Sequence, residues 1–137
     1  SLHDALPILS ERIENFNKAY NLFDIACKSY IENPSNEVNK LAIVQAFEIV
    51  FELGWKVIKD YLKTKDIEVF TPRDVIKTAF NVNILPTAQI WIDMAADRNA
   101  SSNEYNEEKV CKILEKISTI YYKEMKNFKD NLGKFNE

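Results

Sequence analysis

Between Asp97 and Tyr105 the chain reads DRNASSNEY, a run that gathers an arginine, two asparagines and a tyrosine with no glycine or proline among them. Arg98 is the residue with the most chemistry. Its planar guanidinium holds a phosphate or carboxylate through two parallel hydrogen bonds, which a lysine ammonium cannot match. It is also one of only three arginines among 18 basic residues. Asn99 and Asn103 add carboxamides that donate and accept, and Tyr105 adds a hydroxyl. This set can position a phosphate or a hydroxyl. It contains no proton shuttle, because a carboxamide does not change protonation near neutral pH. Plainer roles compete: Arg98 as the partner of Asp97 or another carboxylate, Asn99 as a helix terminator, Tyr105 as a packing residue. Glu48, Glu52 and Lys56 follow one another at single-turn intervals. An ordinary ladder of i,i+4 ion pairs accounts for Glu52 and Lys56. Glu48 instead falls on the apolar seam of Val44, Phe51 and Trp55, where a carboxylate needs a partner, and Arg98 and Arg73 are the candidates.

The elements that must position these groups are helical. Two glycines and four prolines leave few breakers, and Lys, Glu, Leu, Ile and Ala fill the long segments. Ser10 can cap a helix whose apolar face is Ile13, Phe16, Tyr20, Phe23, Cys27 and Tyr30, ending near Asn33-Pro34. A second helix, from Ser35 or Asn36 to about Lys65, carries Leu41, Val44, Phe51, Trp55, Ile58 and Leu62 on one side. Ile43, Phe47, Val50, Val57 and Tyr61 make a second side apolar, which predicts a central helix. Gly54 inside it implies a tight helix crossing. Thr71-Pro72-Arg73-Asp74 is a helix start, with a capping threonine, proline at the first position and an acid in the first turn. A short fourth helix begins at Pro86-Thr87, carries Ile90, Trp91, Met94 and Ala95, and stops at Asp97, so that DRNASSNEY falls in an interhelical break. Asn106 then caps a long last helix through Val110, Leu114, Ile117, Tyr121, Met125, Phe128 and Leu132. Trp55 and Trp91 read as core or dimer-face anchors, and the lysines of the last helix as a solvated face. The expected architecture is all-α, an antiparallel bundle of about five helices.

Composition narrows the function. A formal net charge of −3 argues against a broad nucleic-acid footprint and confines any RNA contact to a local cleft. Cys27 and Cys111 are too few for a disulfide framework or thiolate metal site and read as reduced core thiols, so neither metal nor cofactor is expected. No stretch approaches the ~18–20 apolar residues that span a bilayer, and the expected compartment is the cytoplasm. Ser1 to Ile8 read codon for codon as TCC CTA CAC GAC GCT CTT CCG ATC, the end of a common sequencing-adapter oligonucleotide. The expectation is therefore a fused artefact over 1–8, a truncated natural start, and a single domain over 9–137. His3, the single histidine, lies in that segment.

Four blocks in order, RIENFNKAYNLF from Arg12, FEIVFELGWKVIKDYL from Phe47, TPRDVIKTAF from Thr71 and IWIDMAADRNASSNEY from Ile90, resemble the HEPN superfamily. Within it, they resemble the nucleotidyltransferase substrate-binding proteins encoded beside minimal nucleotidyltransferases. The resemblance implies a helical-bundle subunit that forms a homodimer and binds a minimal nucleotidyltransferase, with a nucleotide or RNA ligand at Arg98, Asn99, Asn103, Tyr105 and Glu48. The superfamily motif is an arginine, usually followed by asparagine, then, with four residues between it and the arginine, a histidine, and a tyrosine two residues later. Arg98, Asn99 and Tyr105 fit, and Asn103 stands where the histidine is expected. The leading expectation is thus a non-catalytic binding subunit. The alternative is a metal-independent ribonuclease toxin neutralised by its nucleotidyltransferase antitoxin. Arg98 would then be catalytic, and Tyr105 would match the hydroxyl that the partner modifies with AMP. Asn103 weighs against that alternative.

Overall fold

The structure is a computed structural model; it describes the backbone over residues 2–103 and 107–136 and the side chains over residues 5–100 and 108–135. Helix α1 spans Leu2–Glu32 and α2 spans Glu37–Thr64. A short turn joins them into an antiparallel hairpin, because Asn36 caps α2 through its side chain while Asn39 Nδ2 reaches back to the carbonyls of Ser29 and Asn33. Helix α1 begins ahead of the predicted cap at Ser10. The apolar stripe continues upstream through Ala5 and Leu9, both buried, and Pro7 is accommodated within the helix. Helix α2 ends at Lys65, after which Asp66 adopts a left-handed conformation (φ 60°), which a short polar side chain tolerates better than most.

Helix α3 covers Pro72–Asn81 and starts as the sequence predicts: the Thr71 hydroxyl accepts from the Asp74 N–H and proline opens the first turn. Asn83, at φ 65°, turns the chain toward α4, Gln89–Asn103. Here one expectation fails. Asp97 to Asn103 do not form a break but continue α4, because Ala95, Ala96, Asp97 and Arg98 contain nothing that stops a helix. Tyr105 and the predicted cap Asn106 lie outside the described residues. Helix α5, Glu107–Lys116, passes into a π-helical turn at Ile117–Tyr121, then α6, Tyr122–Asp130, and a final 3₁₀ turn, Leu132–Asn136. The predicted single last helix is thus one continuous rod with a wider turn in its middle. Ile117, Tyr121 and Met125, each four residues from the next, are all buried along this rod.

Helix α2 is the central element, packed against α1, α3, α4, α5 and the π turn. Its two apolar sides meet different neighbours, as predicted. Leu41 departs from the prediction at 72% exposure. Cys111 departs as well and is exposed, whereas Cys27 is a buried thiol whose pKa burial drives upward. The core is aromatic. Phe16 and Phe128 meet edge to face at 5.3 Å, Trp91 and Phe128 at 4.9 Å, and Phe47 stacks on Tyr121 at 5.4 Å. Gly54 sits at the crossing the sequence predicted: a Cβ there would lie 3.3 Å from Phe16 and 3.4 Å from Trp91. Trp55 and Trp91 are both buried core residues. No helix among the described residues is long and apolar enough to cross a membrane.

Candidate functional site

Arg98 owes its position to the buried face of α4. Trp91 and Met94 are fully buried and fix the rotation of the helix. One turn further, Asp97 accepts from the Tyr121 hydroxyl and lies 3.0 Å from Lys116 Nζ. Burial first, and then the Asp97 carboxylate, push the Tyr121 hydroxyl to hold its proton far above the ordinary tyrosine range. Asp97 therefore ties α4 to the π turn. Arg98, the next residue, is rotated toward α2 and α3.

There it borders a cleft of about 740 Å³ lined by Phe51, Glu52, Thr71, Arg73, Arg98 and Asn99, among others. Arg98 Nε lies 3.8 Å from Glu52 Oε2, and Lys56 Nζ lies 3.8 Å from Glu52 Oε1. The predicted Glu52–Lys56 ladder is present. These separations are long and the groups partly exposed, so each of these two pairs contributes under ~1 kcal/mol. Two of the three arginines thus border one cleft. Arg73, which the sequence reading considered only as a partner for Glu48, is exposed and makes no ion pair among the described residues. The third arginine, Arg12, is committed elsewhere, 2.8 Å from Asp60.

The N-terminus of α3 enters the same cleft through Thr71, Pro72 and Arg73. Pro72 has no N–H and the Asp74 N–H is held by Thr71, so the aligned peptide dipoles and the Arg73 N–H are what this N-terminus offers an anion. The helix-start signal and the arginine motif were separately legible; their meeting required the fold. Among the predicted site residues, Arg98 and Asn99 line the cleft. Glu48 is half-buried one turn before Glu52, and Glu52 is the carboxylate at the cleft wall. The side chain of Asn103 and all of Tyr105 lie outside the described residues. No cluster of three or more metal-ligating side chains occurs among the described residues.

The all-α bundle thus brings two arginines and a helix N-terminus to one cleft, an arrangement favourable to an anion. Residues 11–134 match the family described as nucleotidyltransferase substrate binding protein like, and the chain belongs to that family. It is also similar to a protein from Thermus thermophilus known from a crystal structure. The two share 27% sequence identity with a TM-score of 0.66, over 84% of this chain and 99% of the other. No curated protein matches the sequence.

Proposed function

We propose that this chain is a non-catalytic binding subunit that partners a minimal nucleotidyltransferase and holds a phosphate-bearing ligand, a nucleotide or RNA segment, in the Arg98 cleft. The observation that carries the reading is the convergence of Arg98, Arg73 and the α3 N-terminus on one cavity. A phosphate entering there exchanges the long Arg98–Glu52 contact for charge-assisted hydrogen bonds, which are shorter and stronger. Family membership supports the choice of partner. The α1–α2 hairpin leaves Leu22, Ile25, Val38, Leu41 and Ile49 exposed, apolar side chains that a second copy or the nucleotidyltransferase would cover on this reading.

Nucleoside triphosphate and short RNA titrations, with and without a co-expressed minimal nucleotidyltransferase, test the reading. Arg98→Ala and Arg73→Ala are each expected to weaken binding by about tenfold, the loss of one charge-assisted contact of about 1.5 kcal/mol. Unchanged affinity in both variants, with circular dichroism unaltered, would remove the cleft from the function.

A further inference from the structure

Glu124 is the one charged side chain buried in the core among the described residues, at 9% exposure. Its recorded partner is a neutral donor, the Trp91 indole N–H, 3.2 Å from Oε1. Desolvation raises its pKa above the usual carboxylate range, and the Trp91 hydrogen bond only partly offsets this. A carboxylate so placed is costly. It satisfies the indole N–H of the fully buried Trp91, and it lies away from the Arg98 cleft.

Glu124 also forms part of the wall of a second cavity, about 620 Å³, between α6, the 3₁₀ turn and the α3–α4 connection. That volume lies within the range of small-ligand pockets, ~300–1,000 Å³. The two cavities share no lining residue. Phe128 and Phe135 supply aromatic wall, meeting each other edge to face with centroids 5.6 Å apart. Asn83 and Asn127 place carboxamides at the rim with no hydrogen bond from either side chain among the described residues, and Lys134 places a cation there. An apolar aromatic body with a few convergent polar groups is the usual make-up of a small-molecule site.

We propose that this cavity binds a nucleotide through a base bearing an exocyclic amine, the amine donating to Glu124, the ring lying against Phe128 and Phe135, and the phosphate reaching Lys134. The inference goes beyond the Arg98 cleft and stands without it. Each wall selects one part of the ligand. Glu124, an acceptor when ionised, favours the amines of cytosine, adenine and guanine over the carbonyl edge of uracil. The rings favour a flat π surface, since base–aromatic stacking contributes about 1–3 kcal/mol. Lys134 favours an anionic tail and disfavours a polyamine, which would otherwise satisfy the carboxylate.

Calorimetric titration of the full chain with CMP, AMP, GMP, UMP and spermidine decides the matter. CMP is expected to bind at least tenfold more tightly than UMP. Glu124→Gln should erase or reverse that preference, because its amide N–H₂ donates where the carboxylate accepted. Lys134→Ala, an exposed change that leaves the core intact, should weaken CMP severalfold and leave cytidine unaffected. The titrations are repeated in an Arg98→Ala background, where binding at the Arg98 cleft is weakened and a persisting CMP–UMP preference reports on the Glu124 cavity. Equal binding of CMP and UMP, absence of saturable binding of any amine-bearing nucleotide at millimolar concentration, or spermidine competing with CMP would each overturn the inference. So would binding lost in Arg98→Ala but kept in a folded Glu124→Gln, which would place the nucleotide in the Arg98 cleft alone.

Discussion

At the scale of single residues, Glu124 gives the clearest pH signature. Its folded pKa is raised above the unfolded value, so its contribution to stability is fully present below the ordinary glutamate pKa and is lost as pH rises through the folded one. Glu124→Gln keeps a carbonyl for Trp91 and removes that loss. The melting temperature of the variant relative to the unaltered protein should therefore be higher at pH 8 than at pH 4, as differential scanning fluorimetry would measure. Asp24 behaves oppositely. The Tyr122 hydroxyl, ahead of Lys28, lowers its pKa, and its contribution disappears on acidification, but equally in both proteins. Gly54 supplies a packing test. The sequence marked it as a crossing, and the two rings facing its missing Cβ are fully buried. Gly54→Leu should destabilise the fold by about 1–3 kcal/mol in urea unfolding, the usual cost of overpacking a filled core. A neutral result would mean that Phe16 and Trp91 can move apart.

At the scale of elements, helix existence was readable and helix endings less so. Thr71-Pro72 and Asn36 announced their helices because capping chemistry is local. The π turn was not readable, since the 3- and 4-residue apolar spacing of Ile117, Tyr121, Met125 and Phe128 fits an unbroken α-helix equally well. What distinguishes it is tertiary: Tyr121 must present its hydroxyl to Asp97 while its ring stacks on Phe47. The same bond ties α4 to the π turn at Asp97. Tyr121→Phe removes the hydroxyl and leaves Asp97 with Lys116 alone. It should cost about 1–2 kcal/mol of stability and speed hydrogen exchange in α4 around Asp97 and Arg98 more than in α1. Exchange that rises uniformly across the bundle would mean the bond does not fix the register of α4.

At the scale of the whole molecule, the motif residues Arg98 and Asn99 and the family blocks were visible in sequence, and the all-α bundle follows from the same periodicities. Arg73 as a site residue and Glu124 as a buried acid were not visible. Each gains its meaning only from helices far apart in the chain, α3 against α4 in one case and α4 against α6 in the other. The fold uses α2 as a common wall and leaves a cleft where α2, α3 and α4 meet. On the proposed reading Arg98 there holds a phosphate, while Asn103, at the motif's histidine position, cannot take a proton from a ribose hydroxyl. Holding without cleaving is therefore the central claim. Its most direct test is incubation of the purified protein with labelled RNA, beside Arg98→Ala and Asn103→His variants. The account predicts RNA that is bound and intact with the unaltered chain, weaker binding with Arg98→Ala, and cleavage gained only with Asn103→His. Cleavage by the unaltered chain that disappears in Arg98→Ala would contradict it.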